Sequence, residues 1–108
     1  MTKSLDSDAV NTGLSHELIS NLRKIFSDIP SIEKVILYGS RAKGSYRAGS
    51  DIDLTFVGGI THQQLIAVDT RIDDLLSPYL YDLSVLSDIK NPALLEHIQR
   101  VGVVIYPS

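Results

Sequence analysis

Leu14, Leu18, Leu22, Ile25 and Ile29 recur at helical spacing, with Ser15 placed to cap the start and Pro30 to stop the run, which predicts an amphipathic first helix. Lys34 to Tyr38 is a short apolar run broken by Gly39, the pattern of a buried strand entering a turn, and a brief helix is expected over Ala42 to Ser45. Ile52, Leu54 and Phe56 then alternate with Asp51, Asp53 and Thr55 until Gly58-Gly59, a period of two that marks a second strand. From Gln63 to Leu76 a stripe of Leu65, Val68, Ile72 and Leu75 predicts a second long helix, stopped by Pro78. Tyr81, Leu83 and Val85 alternate with Asp82 and Ser84 as a third strand. Asn91-Pro92 supplies an N-cap and a proline at the first helical position, ahead of a last helix lined by Leu94, Leu95, Ile98 and Val101. Val103 to Tyr106 suits a short closing strand. Alternating strands and helices of this kind predict an α/β or α+β fold, a small mixed sheet with helices packed on one face and the other face left for a site.

At 108 residues the chain has room for one domain, expected over residues 14–108, behind a polar segment at 1–13 that is expected to fray. No apolar run approaches the roughly 20 residues that cross a bilayer, and the start MTKSLDSDAVNTG lacks the basic-then-apolar order of a signal peptide. A soluble, unexported protein is the expectation. The absence of cysteine excludes disulfides and thiolate metal sites and fits a cytoplasmic location, while His16, His62 and His97 are too scattered to suggest a zinc cluster. His62 and His97 are expected at helix surfaces or caps.

The net charge of -3 argues against general nucleic-acid binding, which draws on many Lys and Arg contacts to phosphate. Charge is nevertheless uneven. The stretch from Gly39 to Ser50 holds Arg41, Lys43 and Arg47 and no acid, so an anion-attracting loop sits in an otherwise acidic molecule. Gly39 at the end of a strand lets the backbone turn sharply and bring N–H groups to an anion, and the Ser40 hydroxyl can donate to a phosphate oxygen. The spacing from Gly39 to Gly44 imitates a P-loop, but Ser45-Tyr46 stands where Lys and Ser or Thr would be required, so that motif is rejected. Of the three cations Arg41 is the best candidate for a nucleotide, against the commoner role of solvating a loop. Tyr38 and Tyr46 could stack on a base, although half-buried tyrosines with a wet hydroxyl are commoner.

Residues two apart in a strand project to one side about 6.5 Å apart, so Asp51 and Asp53 share a face while Ile52 and Leu54 point to the core. Two like charges on one face, in a residue type depleted from strands, suit a hard divalent cation that takes carboxylate oxygens. If the third strand lies beside the second, Asp82 joins them as a three-carboxylate cluster able to hold two metals. Taken alone, Asp82 fits the wet face of a sheet equally well.

Gly39-Ser40 followed by Asp51-x-Asp53 resembles the signature of the DNA polymerase beta-like nucleotidyltransferases, and the chain is similar to the minimal stand-alone members encoded beside a helical HEPN or four-helix-bundle partner. Some of these are adenylyltransferase antitoxins of the MntA type. The likeness runs from about Leu14 onward, specific over Gly39 to Leu54 and looser over Tyr81 to Leu86. It implies two Mg²⁺ ions held by Asp51, Asp53 and Asp82, with Asp82 also activating an attacking hydroxyl. It further implies ATP or another NTP as donor, its β- and γ-phosphates gripped by Gly39 and Ser40, and transfer of AMP to a hydroxyl of the partner in a toxin-antitoxin pair. Larger relatives carry an added helical domain that this chain lacks, so the acceptor surface is expected from the partner or from a homodimer. A non-catalytic partner-binding antitoxin with a vestigial or regulatory nucleotide pocket is the alternative, and transfer to a small molecule such as an aminoglycoside is weakened by the missing domain.

Overall fold

The computed structural model describes Lys3–Ser4 and residues 12–47, 49–75 and 78–107. Its elements run β1 (Lys3–Ser4), α1 (His16–Ser27), β2 (Ile32–Tyr38), α2 (Ser40–Lys43), β3 (Ile52–Gly58), α3 (His62–Asp73), β4 (Tyr81–Val85), a 3₁₀ turn (Leu86–Asp88), α4 (Pro92–Val101) and β5 (Val103–Tyr106). Most of the segment expected to fray lies outside the described residues, as does Leu76, the expected end of the second long helix.

Local chemistry explains the helix starts. Ser15 accepts the Leu18 N–H ahead of α1, Asn91 accepts the N–H groups of Ala93 and Leu94 ahead of α4, and Thr61 with Gln64 forms a reciprocal capping box at α3. The brief helix expected over Ala42 to Ser45 sits two residues earlier, directly after Gly39. No described helix is long and apolar enough to cross a membrane.

Among the described residues the sheet has five strands in the order β1-β5-β2-β3-β4. β2 pairs antiparallel with β3 and with β5, whereas β3 pairs parallel with β4 and β1 parallel with β5. A parallel pair needs a crossover, and α3 supplies it between β3 and β4. The closing strand expected at Val103 to Tyr106 is therefore interior to the sheet.

One apolar layer joins Leu22, Ile25 and Phe26 of α1 and Val68 and Ile72 of α3 to Val35 and Leu37 of β2, Ile52, Leu54 and Phe56 of β3, and Val103 and Ile105 of β5. Phe26 meets the rings of Phe56 and Tyr106 edge-on at 5.5 and 5.8 Å. The expected mixed sheet is present, but its helices are not confined to one face. α4 lies on the other side, where Ile98 packs with Ile36 and Tyr38 of β2 and with half-buried Leu86, Leu94 and Val104. The cause is in β2, whose last four residues are all buried, so a strand apolar on both sides needs cover on both.

Phe26→Ala removes a fully buried ring that joins α1 to two strands, and is expected to lower unfolding stability by about 3–5 kcal/mol. Urea titration checks this through a fall in the midpoint at unchanged slope.

Candidate active site

β2 ends where its chemistry changes. Tyr38 is the last residue paired with β3, opposite Asp53, and the chain then turns at Gly39 with φ of +79°. A side chain is strained at that φ, and a second constraint acts at the same atom: a Cβ on Gly39 would overlap Oδ2 of Asp53. The Asp53 carboxylate thus rests against the bare Cα of the turn. α2 follows at once, and Gly44, also at φ +79°, closes it in a left-handed cap while Ser45 N–H donates to Ser40 O at 3.0 Å.

β3 alternates as expected. Ile52, Leu54 and Phe56 are fully buried toward α1 and α3, so Asp51 and Asp53 belong to the opposite face, the one that α4 partly covers. The parallel register sets Asp82 of β4 beside Asp53, with Ile52 opposite Tyr81 and Leu54 opposite Leu83. Asp53 and Asp82 are therefore on one side of two adjacent strands, next to the Gly39-Ser40 turn, while Asp51 lies just ahead of β3.

Their proximity has an electrostatic signature. The Asp53 carboxyl is held above the ordinary carboxylate range, chiefly by burial and then by the negative charges of Asp82 and Asp51. The Tyr38 hydroxyl is pushed up as well, first by burial, against a lowering hydrogen bond with Ser84, and then by Asp82 and Asp53. Among the described residues no three His, Asp or Glu side chains are arranged so as to hold a metal ion together. Neighbouring carboxylates repel one another, and carboxylate oxygens are the donor type that a hard cation such as Mg²⁺ takes.

Arg41, expected at the nucleotide, is placed otherwise. Its side chain is only 2% exposed, Nη1 donates to Thr12 O at 2.9 Å and Nε to Ser50 O at 3.2 Å, and the guanidinium lies 4.9 and 4.7 Å from the ring centres of Tyr46 and Tyr79. Stacked rings and backbone carbonyls satisfy a buried guanidinium where water cannot. Arg41 braces the loop between turn and carboxylates. Tyr46 is committed to the same brace, and Tyr38 is buried, so neither offers a free face to a base. Lys43 and Arg47 are exposed, the latter's N–H donating to Ser50 Oγ at 2.7 Å.

His97 of α4 is at the site although its sequence position gave no sign of it. Nε2 accepts the Gly39 N–H at 3.1 Å, and the imidazole meets the Tyr38 ring edge-on at 6.3 Å. His62 is exposed at the start of α3, as expected of a surface histidine.

Because the native state holds the Asp53 proton more tightly than the unfolded chain does, native stability falls as pH rises from the ordinary carboxylate pKa through the raised one. In metal-free buffer Asp53→Asn is therefore expected to gain in melting temperature relative to the parent as pH rises above the ordinary carboxylate pKa of about 4. Thermal scans over that rise in pH check it, and a gap that does not change with pH contradicts it.

The sequence profile described as Polymerase beta, Nucleotidyltransferase matches residues 20–108. No curated protein sequence matches the chain. Among solved structures it is similar to a toxin-antitoxin crystallised with AMP-PNP, with TM-score 0.67 and 19% identity over 83% of this chain and 73% of that one. It is similar also to a structure described as a tri-AMPylated Shewanella oneidensis HEPN toxin in complex with MNT antitoxin, with TM-score 0.64 and 16% identity over 88% and 74%. A third, the toxin-antitoxin MntA-HepT, gives TM-score 0.63 and 16% identity over 87% and 74%. At such identities the likeness is one of fold, while the profile spans the turn, the carboxylate strand and most of the remaining chain, so the protein belongs to the polymerase beta nucleotidyltransferase family.

Proposed function

We propose that this nucleotidyltransferase is Mg²⁺-dependent and moves a nucleoside monophosphate, AMP from ATP, onto a hydroxyl of a helical HEPN partner. The observation that carries the reading is the Asp53 carboxylate seated against Gly39, with Asp82 beside it in register, which joins the Gly39-Ser40 turn to neighbouring acids. Similarity to structures whose descriptions name AMP-PNP and an AMPylated HEPN toxin supports the choice of nucleotide and acceptor.

In this reading Asp51, Asp53 and Asp82 would hold the divalent ions, two of them. Bound there, divalent cations neutralise the triphosphate and stabilise charge on the phosphoryl oxygens as the bond to the leaving group breaks. The Gly39-Ser40 turn holds the β- and γ-phosphates, Gly39 by giving the turn its shape and Ser40 by its hydroxyl and backbone N–H donors. Asp82, exposed on β4, takes the proton of the acceptor hydroxyl as its oxygen attacks the α-phosphorus and pyrophosphate departs. Arg41 acts at one remove, by holding the loop that carries Ser40 in place relative to Ser50 and the strand beyond.

The partner completes the acceptor side. Asp51 and Asp82 are exposed, so a hydroxyl presented by a second protein can reach them.

Incubation of chain and HEPN partner with ATP and Mg²⁺ is expected to add the mass of AMP to the partner in an intact-mass spectrum. Asp51→Asn and Asp53→Asn should each reduce the rate by at least about 100-fold while leaving partner binding in place. Full transfer by the double variant would exclude the mechanism, and unmodified partner with every NTP would exclude the reaction.

A further inference from the structure

We propose that His97 is a positioning residue that locks the Gly39-Ser40 turn in the shape that receives phosphate. The inference rests on reading that turn as the triphosphate grip. Gly39 has left the β2 ladder, in which Tyr38 is the last paired residue, so its N–H has no strand partner there. His97 supplies one across 58 positions of sequence, from a helix on the other side of the sheet from α1 and α3. As acceptor, Nε2 offers its lone pair to the Gly39 N–H.

Three features aim the imidazole. Asn91 and Pro92 start α4, Ile98 and Leu94 seat it on Ile36 and Tyr38, and the Tyr38 ring sets its edge against the imidazole at an interplanar angle of 81°. The bond falls on a residue whose backbone is intrinsically permissive, a glycine at φ +79° and ψ −157°. Holding it in advance removes part of the ordering cost that phosphate binding would have to meet. With the Gly39 N–H occupied, the donors left to the anion are those of Ser40 and the residues after it.

A clamp of this kind acts on ground state and transition state alike, so its loss should appear in KM for the nucleotide and not in kcat. His97→Leu is expected to raise KM for ATP about 3- to 10-fold at a kcat within twofold of the parent, the size of one neutral hydrogen bond. His97→Gln, whose Oε1 can take the place of Nε2 as acceptor, should return KM to within about twofold of the parent. Independently of turnover, amide hydrogen exchange at Gly39 in the free chain should speed up in His97→Leu and be restored in His97→Gln.

Unchanged Gly39 exchange in His97→Leu overturns the inference, as does a parallel loss of kcat in both variants. The exchange measurement is made on the free chain, so its result stands whether or not AMP transfer is confirmed. Loss of transfer in the aspartate variants, in turn, tests the reaction without involving His97.

Discussion

Everything at the site depends on one close approach, a carboxylate pressed against a residue that has no side chain. Asp53 can occupy its place only because Gly39 lacks a Cβ, and Gly39 can turn where it does only because glycine tolerates positive φ. The same contact sets the spacing between the element that would hold a phosphate tail and the element that would hold a cation. Burial there, with the charges of Asp82 and Asp51, raises the Asp53 pKa, a cost that a bound cation would relieve.

The surrounding architecture keeps that contact in place from both sides of the sheet. On one, α1 and α3 bury Ile52, Leu54 and Phe56, which forces Asp51 and Asp53 to the other. On that other side α4 buries Ile36 and Tyr38 and brings His97 to the turn. The stacked Arg41, close behind the turn, is tied to Thr12 and to Ser50, the residue ahead of Asp51, so a buried cation links the two ends of the ten residues between Ser40 and Asp51.

How much of this could be read from the amino acids differs by element. The turn and the Asp-x-Asp strand were legible because each depends on local chemistry: glycine after an apolar run, and period-two alternation. Asp82 was legible only as a residue on a polar face, since the register of β4 on β3 is set by packing across α3 and leaves no local mark. The unbroken apolar run of β2 did hold the signal for a helix on the second face, through Ile36 and Tyr38. His97 was lost with that signal. Arg41 shows the converse limit: sequence gives its charge and not its burial, and the cue available was the tyrosine at 46 in the same loop.

Cation binding by the isolated chain reaches the central claim most directly. Titration with Mn²⁺, followed by water-proton relaxation, should show binding that weakens by about 10-fold or more in Asp53→Asn and again in Asp82→Asn, with a double variant that loses less than the product of the two. Mn²⁺ affinity that is the same in the parent and in Asp82→Asn would contradict a cluster shared between β3 and β4.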